Sequence, residues 1–206
     1  MTYTKQVDVD HYRFGKYMEK GRWNSIWHQL DEIIRLQPRR VLEIGPGIGL
    51  FKRAAGLYGV PVETLDIDPE LKPDHVASVT ELPFADGEFD VVCAFQMLEH
   101  VPYDVSLAAF AEMSRVANRA VIISLPNAWK HWRLTFVLPK IGERHVLIPK
   151  PFLKRPKHQF DGEHYWELNK AGYEFDRVVR DLSAIRRLDR SFRVPEFPYH
   201  QFLIFA

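Results

Sequence analysis

Three glycines at alternate positions mark the stretch with the clearest capacity for chemistry, and they are Gly45, Gly47 and Gly49. Glycine permits positive φ values and lets a ligand approach the main chain closely. Glu43 lies two residues before the first of them, so a carboxylate stands at the start of the turn. A carboxylate beside open backbone suits a ligand that carries an amino group. The stretch therefore predicts a loop that binds such a ligand.

Two regular elements must position this loop. Before it, Val41–Ile44 is a short apolar run with β-branched residues, which is typical of a parallel strand buried on both faces. After it, apolar side chains recur at helical spacing from Leu50 to Tyr58. The stretch therefore predicts a strand, a ligand-accessible loop and a helix N-terminus.

Two classes of ligand use this arrangement. A dinucleotide loop needs its third glycine at the position of Leu50, and it holds a pyrophosphate with main-chain N–H groups, one of which Pro46 lacks. S-adenosylmethionine has no pyrophosphate. Its ammonium group suits the Glu43 carboxylate, and its own carboxylate suits the positive end of the following helix. These details favour S-adenosylmethionine over a dinucleotide.

A second carboxylate follows about one strand–helix unit later. The stretch Val62–Glu70 contains the predicted strand two, with Asp66 at its C-terminal tip. An acidic residue about 20 residues after a glycine loop accepts both hydrogen bonds of a ribose diol in nucleotide-binding sheets. Asp66 is therefore predicted to bind the ribose of a nucleoside.

The stretches Val41–Gly49 and Thr64–Asp68 together resemble motif I and the acidic loop of class I S-adenosylmethionine-dependent methyltransferases. Within that superfamily the chain is most similar to the small-molecule branch that includes ubiquinone and sterol methyltransferases. The resemblance implies a Rossmann-like three-layer αβα sandwich. Its seven-stranded, mostly parallel sheet has the order 3-2-1-4-5-7-6, with strand seven antiparallel. It also implies methyl transfer by direct displacement to a small-molecule acceptor.

The stretch Thr80–Val92 also resembles this family, in which it links the adenine-binding loop to strand four. The resemblance implies that the backbone N–H of Val79 donates to the adenine ring and that Ile67 lies beneath it. Ser78 stands where the family usually has an aspartate that accepts from the adenine amino group. A hydroxyl accepts that bond less strongly than a carboxylate, so either cofactor affinity is lower or another group, such as Glu81, compensates.

The predicted end of strand four, Phe95–Pro102, should border the site because ligands in open α/β sheets lie beyond the carboxyl ends of the strands. Gln96 is expected to contact the cofactor. A hydroxyl or carbon acceptor needs a general base, and His100 is the first candidate because its ordinary pKa lies near neutrality. The alternative role for His100 is to anchor the loop by bonding a backbone group or Glu99.

The composition of the 206-residue chain, 46% apolar and 27% charged, predicts a single methyltransferase domain. We divide it into an N-terminal helical cap (1–37), a cofactor-binding core (38–127), a basic aromatic insertion or lid (128–161) and a C-terminal closure of the sheet (162–206). No metal ligand set is predicted. The single cysteine, Cys93, is predicted to be a buried strand thiol.

Net charge and hydropathy limit the partners. The chain carries a net charge of +1, and Met97–His100 stands where methyltransferases of nucleic-acid bases usually have an Asn-Pro-Pro-aromatic motif, so no nucleic-acid partner is expected. No apolar run approaches the roughly 18 residues of a membrane span, and Met1–Asp10 is polar. These features predict a cytoplasmic protein.

Residues 129–158 contain eight Lys or Arg and one Glu, a net charge of +7, interleaved with aromatic residues. We interpret this segment as a mobile lid that sets substrate choice. The favoured use is binding of an anionic small substrate through Arg133, Lys150 or Arg155. His131 is a further candidate for the acceptor site. The other uses are peripheral contact with an anionic membrane to reach a lipid-like acceptor, or a solvated loop.

The two ends of the chain complete the prediction. The N-terminal aromatic segment resembles the cap that closes over the cofactor in this family, so Tyr12, Tyr17 and Arg22 are candidates to face the site, with ordinary packing as the alternative. Gly162–Gly172 is predicted as a helix, and within it His164 is a candidate for the acceptor pocket. Strands six and seven are predicted at the segments Val178–Leu182 and His200–Phe205.

Two other functions stay open. One is a catalytically inactive or regulatory protein that binds S-adenosylmethionine, which the departure at Ser78 suggests. The other is an NAD-dependent oxidoreductase on the same strand–loop–helix unit, which Pro46 and Leu50 disfavour.

Overall fold

The computed structural model describes residues 13–151 and 154–206, and its centre is a sheet with helices on both faces. The strands are β1 (Val41–Ile44), β2 (Val62–Asp66), β3 (His75–Val76), β4 (Phe89–Phe95), β5 (Ala117–Pro126), β6 (His131–Leu138), β7 (Gly142–Pro149), β8 (Leu188–Arg193) and β9 (His200–Phe205). The helices are α1 (Phe14–Tyr17), α2 (Lys20–Arg35), α3 (Leu50–Leu57), α4 (Tyr103–Val116) and α5 (Phe175–Ser183), with 3-10 turns at Pro69–Leu71 and Leu98–His100.

The main sheet has seven strands in the order β3-β2-β1-β4-β5-β9-β8. The first five run parallel, whereas β9 is antiparallel to both of its neighbours. Strands β6 and β7 form a separate two-stranded sheet and only shift the numbers of the last two strands. Without them the order is 3-2-1-4-5-7-6, so the predicted Rossmann-like fold is confirmed.

The short strand β1 shows why this sheet is buried on both faces. Leu42 and Ile44 belong to the hydrophobic cluster under α4 and α5, and Val41 belongs to the cluster under α2 and α3. All three side chains are at most 2% exposed. Apolar side chains on both faces are what a central parallel strand requires, because helices cover both faces. Cys93 in β4 is buried and free, as predicted.

Two predictions for the C-terminal part are wrong. The segment Val178–Leu182 belongs to helix α5, because its buried residues are four positions apart, as on one face of a helix. The strand predicted there is β8, whose exposed charged residues are tolerated because it is an edge strand. The predicted helix at Gly162–Gly172 is irregular chain, in which the consecutive residues Trp166, Glu167 and Leu168 are all buried, unlike residues on one face of a helix.

The basic segment contains the hairpin β6–β7, which the sequence prediction of a mobile lid did not anticipate. Its pairing places Trp132 opposite Ile148 and Leu134 opposite Val146, so these four side chains share one face. All four are at least 39% exposed.

In the part of the chain that the structure describes, no helix is long and apolar enough to cross a membrane.

Candidate functional site

A cavity of about 640 Å³ opens at the carboxyl ends of β1, β2 and β4. This is where ligands bind in open α/β sheets, because the strand tips and the following loops form a crevice there. The predicted site residues that line it are Gly45, Gly47, Asp66, Ile67, Ser78, Val79, Gln96, His100 and His164, together with Tyr17 and Arg22. The structure therefore brings the strand tips and both ends of the chain together around one space.

The glycine loop at the cavity edge has positive φ values, which favour glycine, at Gly45, Gly47 and Gly49. Gly45 has a φ of +68°, and a Cβ atom there would lie 2.4 Å from Cγ of Met97. Gly49 has a φ of +69° and is the N-cap of α3, where its left-handed conformation starts the helix without a side-chain cap. Gly49 itself is not part of the cavity lining. The loop thus leaves its backbone open towards the cavity.

Glu43 lies behind the loop and does not line the cavity. Its side chain is only 4% exposed, and Oε2 has no hydrogen-bond partner among the described residues. Burial raises its pKa to about 8, although Lys52 acts in the opposite direction. A buried carboxylate with an unpartnered oxygen is costly, so this position favours a positively charged group nearby.

Asp66 lies at the tip of β2, as predicted, and its Oδ1 accepts a hydrogen bond of 2.9 Å from the backbone N–H of Asp68. Burial raises its pKa above the usual value. The Ser78 hydroxyl lies 2.8 Å from Oγ1 of Thr80, in a short turn. Ile67 is 38% exposed and offers an apolar surface beside these polar groups. These residues suit a flat ring with a polar edge and an attached diol.

Gln96 follows β4 with a φ of +55°, which is uncommon for a residue other than glycine. Its backbone N–H donates to the carbonyl of Ser124 over 3.0 Å, and its Nε2 donates to the Ser124 hydroxyl over 3.1 Å. Residues held in such conformations cluster at functional sites because the surrounding structure fixes them. The strand tip is therefore a rigid part of the cavity wall.

Two histidines from distant parts of the chain meet at another part of the wall. The rings of His100 and His164 are 5.0 Å apart and nearly perpendicular. Nδ1 of His100 lies 3.1 Å from the carbonyl oxygen of Glu163, and Nδ1 of His164 lies 3.1 Å from a carboxylate oxygen of Glu167. Burial opposes the charged form of His164, but the carboxylates of Glu167 and Glu99 outweigh it, so its pKa is raised. His100 lines the cavity and bonds a backbone group, so the predicted anchoring contact is present, and its use as a general base stays a prediction.

The N-terminal candidates divide into two groups. Tyr12 lies outside the described residues. Tyr17 and Arg22 line the cavity, with the Arg22 guanidinium 4.2 Å from the centre of the Tyr17 ring. Nε of Arg22 is buried without a hydrogen-bond partner in the described part of the chain. Arg22 therefore places a positive charge at the cavity wall.

His131 and Arg133 lie outside the cavity, so the geometry does not bring them together with the other candidates. Arg193 lies within hydrogen-bond distance of both ring nitrogens of His131, and burial lowers the pKa of Arg193 to about 10. Arg133 donates to the carbonyl oxygen of Glu196. These contacts attach the hairpin to the strand β8 and the turn after it, which explains why both side chains point away from the cavity.

Sequence reasoning did not name Tyr199 and did not predict the burial of Glu99. Tyr199 lines the cavity because β9 is antiparallel, so the residue before it lies at the same sheet edge as the carboxyl ends of the parallel strands. That signal was available once the strand was predicted to be antiparallel. Glu99 is fully buried beside the histidines, and both of its carboxylate oxygens lack hydrogen-bond partners among the described residues. Its environment depends on residues far along the chain, and no local pattern predicts it.

Comparisons with known proteins agree with this geometry. A family model described as a methyltransferase domain matches residues 10–175, more than half of the chain. The ubiquinone biosynthesis O-methyltransferase of Marinobacter nauticus is 27% identical over 176 residues, which cover 76% of this chain and 71% of that protein. Relatives with the same description from Azotobacter vinelandii and Escherichia coli are matched over 40% and 72% of their lengths.

Two solved structures show the same fold. The 1,6-didemethyltoxoflavin-N1-methyltransferase of Burkholderia thailandensis has a TM-score of 0.62 at 14% identity, covering 96% of this chain and 84% of that chain. Magnesium protoporphyrin IX methyltransferase of Synechocystis, solved with bound SAM, has a TM-score of 0.60 at 15% identity, covering 96% and 89%. With the family match over most of its length, this chain belongs to the methyltransferase domain family.

Proposed function

We propose that this chain is an S-adenosylmethionine-dependent methyltransferase that transfers a methyl group by direct displacement to a small-molecule acceptor. One observation carries the proposal. A single cavity joins the open glycine loop and Asp66 to the His100–His164 pair, so a nucleoside-bearing donor and an acceptor can lie side by side. Relatives described as O-methyltransferases and neighbours crystallised with S-adenosylmethionine or S-adenosylhomocysteine support the same assignment.

The cavity fits this cofactor by its chemistry. Glu43 offers a buried carboxyl group with one unpartnered oxygen behind the loop, which suits an ammonium group. Gly45 leaves room where a side chain would strike Met97. We assign the ribose diol to Asp66 and adenine to the part of the cavity that Ser78, Val79 and Ile67 line. Gln96 completes the wall at the tip of β4.

When bound, S-adenosylmethionine supplies a methyl group that is already activated on a positively charged sulfur. The protein therefore mainly has to align the acceptor and exclude water. Tyr17 and Arg22 close the cavity from the N-terminal side. His100 and His164 are positioned to take a proton from an acceptor hydroxyl or to hold it by a hydrogen bond.

Calorimetry of the purified protein with S-adenosylhomocysteine and with NAD tests the cofactor. We expect micromolar binding of S-adenosylhomocysteine and no heat with NAD, since Leu50 and Pro46 do not suit a pyrophosphate. Absence of heat with S-adenosylhomocysteine would remove the proposal. Cofactor binding without transfer of a radioactive methyl group to any phenol, catechol or amine in a broad panel would favour the inactive binding protein.

The hairpin β6–β7 favours an acceptor that resides at a lipid surface. Its apolar face, formed by Trp132, Leu134, Val146 and Ile148, is exposed. Arg133 and His145, which are on the opposite face, contact Glu196 of the main body. The apolar face therefore points away from that contact. Its surroundings carry the net charge of +7 of residues 129–158, and this combination suits an anionic bilayer.

Co-sedimentation with phosphatidylglycerol-containing and pure phosphatidylcholine vesicles tests this contact. We expect binding to the anionic vesicles alone, lost on Leu134→Asp because a charge would enter the apolar face. Trp27→Asp is the matched control. Trp27 lies on α2, outside the hairpin, and its side chain is about as exposed as that of Leu134. Equal loss in both variants, or binding to neither vesicle by the unmodified protein, would argue against the membrane contact.

A further inference from the structure

A second cavity, of about 230 Å³, borders the glycine loop. Its wall is formed by that loop, the first turn of α3 and the turn that follows Pro69–Leu71. It shares Gly47 and Leu71 with the larger cavity described above, so the two spaces are neighbours. Sites for drug-sized ligands usually measure roughly 300–1,000 Å³, so the second cavity suits a small ligand and not a whole nucleotide.

The wall of the second cavity is positively charged. Lys52, Arg53 and Lys72 belong to it, and none of the described residues that line it is acidic. Nζ of Lys52 bonds Oδ2 of Asp74, which also accepts from the Thr64 hydroxyl over 2.8 Å, so Lys52 is held in place. Arg53 and Lys72 form no ion pair within the described part of the chain. Two positive charges of this wall therefore have no counter-ion among those residues.

The backbone adds to this electrostatic character. The first turn of α3 borders the second cavity, and the N–H groups of a first helical turn have no intrahelical acceptor and carry the positive end of the helix dipole. Lys72 has a φ of +52°, which is uncommon for a residue other than glycine, and its N–H donates to the carbonyl oxygen of Pro69. Residues held in such conformations cluster where ligands bind. The turn thus keeps Lys72 in the wall.

These cations do not help to bind a positively charged cofactor in the larger cavity. S-adenosylmethionine carries a sulfonium and an ammonium group against one carboxylate, whereas S-adenosylhomocysteine has no sulfonium and is neutral overall. Like charges repel with an energy that falls with distance and with ionic strength. An anion in the second cavity would offset this repulsion, and only the sulfonium form would gain from it.

We propose that the second cavity is an effector site for a small oxyanion of the phosphate class, held by Arg53, Lys72 and the first turn of α3. Arginine and lysine bind such anions through charge-assisted hydrogen bonds, and helix N-termini bind them through N–H groups. The bound anion favours S-adenosylmethionine over S-adenosylhomocysteine, and by linkage S-adenosylmethionine strengthens anion binding. Only this coupling rests on the proposed function.

Calorimetric titration with inorganic phosphate, in chloride buffer at constant ionic strength, tests the site. We expect one phosphate per chain with a Kd on the order of 1 mM. Binding should be about tenfold weaker in Lys72→Asn, since a charged donor is lost while asparagine tolerates the positive φ. Lys140→Asn is the matched control, because Lys140 is an exposed lysine with a φ of +66° in the turn between β6 and β7. This variant should bind phosphate as tightly as the unmodified protein.

Titration with ribose 5-phosphate distinguishes a free oxyanion from a phosphate ester. We expect free phosphate to bind more tightly, because the cavity is small. Tighter binding of the ester would support the site and identify a phosphorylated metabolite as the source of the phosphate group. No binding of either compound at millimolar concentrations, or equal weakening in Lys72→Asn and Lys140→Asn, would overturn the site.

Titrations with the two cofactor forms, with and without phosphate, test the coupling. Saturating phosphate should tighten S-adenosylmethionine by about two- to fivefold and leave S-adenosylhomocysteine unchanged, and Lys72→Asn should remove the difference. KCl at the same ionic strength is the control for general screening. Equal effects of phosphate and KCl would overturn the effector role. Phosphate binding that depends on Lys72, without binding of either cofactor form, would support the anion site and overturn the proposed methyltransferase activity.

Discussion

The two ends of the cavity are built in different ways. The end beside β1 and β2 consists of strand tips and a loop within residues 41–79, and much of its shape comes from the main chain. The end with His100 and His164 consists of side chains that are 64 positions apart and are held by Glu163 and Glu167. A site made from backbone tolerates few substitutions at its glycines, whereas a site made from side chains can change its chemistry by single substitutions. The first end suits an invariant cofactor and the second a particular acceptor.

Gly45→Ala is expected to have the largest effect, at the end of the cavity that is built from backbone. Gly45→Ala places a Cβ atom 2.4 Å from Met97 at a φ of +68°, so the loop must shift. We expect S-adenosylhomocysteine affinity to fall about 100-fold, or about 2.7 kcal/mol, a size in line with overpacking and strain. Calorimetry measures the affinity, and circular dichroism checks that the variant folds.

Gly56→Ala is the matched control for this substitution. Gly56 lies in α3, where no atom comes within 4 Å of an added Cβ and no positive φ opposes it. Alanine should keep the affinity and raise stability by up to about 1 kcal/mol, since glycine is unfavourable in a helix. Equal loss of affinity in both variants would show that the space beside Gly45 does not determine cofactor binding.

At the same end, the pH dependence of stability separates the charge of Glu43 from its shape. Burial raises the pKa of Glu43 to about 8, above the value near 4.5 expected in the unfolded chain. Between these two values the unfolded state loses the proton first, so stability falls with rising pH, by up to about 1.4 kcal/mol per pH unit. Glu43 thus contributes stability that is fully present below pH 4.5 and is lost by about pH 8.

Glu43→Gln should remove this slope. The difference in melting temperature between the variant and the unmodified protein should grow from pH 5 to pH 8 and then level off. S-adenosylhomocysteine affinity should fall about tenfold, because the ammonium group of the ligand favours the ionised form of Glu43 and glutamine has no charge to offer. A melting difference that is constant with pH would show that Glu43 is not buried in its protonated form.

The contrast between the two ends also decides what the sequence could predict. Gly45, Gly47 and Asp66 lie within one continuous stretch whose local pattern defines both the strand tips and the ligand class, and the structure places all three on the cavity. The order of the sheet followed from the same family resemblance and is confirmed. Local patterns were sufficient there because parallel strands bring their carboxyl ends to a common edge.

The acceptor end and the hairpin depended on contacts between distant residues, and sequence reasoning was weaker there. The position of His164 is set by an irregular turn through Asp161, where helical spacing was wrongly inferred. Polar and apolar residues alternate from His131 to Phe136, which is a strand signal, but the prediction of a lid rested on the charge of the segment and left this pattern unused. Arg133 was assigned to a substrate because the sequence gives its charge. The sequence does not give its partner, the carbonyl oxygen of Glu196, which is 63 positions away.

A substitution of Ser78, at the adenine side of the same end, is expected to have the smallest effect. Ser78 is the side chain at which this chain departs from the family pattern for adenine, and its hydroxyl is engaged with Thr80. An aspartate can accept from the backbone N–H of Thr80 with one oxygen and from the adenine amino group with the other. Ser78→Asp should therefore tighten S-adenosylhomocysteine binding by about 3- to 10-fold, the net size of one ordinary hydrogen bond.

The inosine analogue of S-adenosylhomocysteine, which has a carbonyl in place of the amino group, shows whether this gain comes from the adenine edge. The Ser78→Asp variant should bind that analogue no better than the unmodified protein, because two acceptors would face each other. Ser78→Ala should weaken binding of the adenine form slightly, provided that the hydroxyl contributes. A gain of equal size for both ligands would show that the added negative charge of the cavity, and not a contact with the amino group, causes the effect. The backbone of Val79 would then be the remaining contact with adenine.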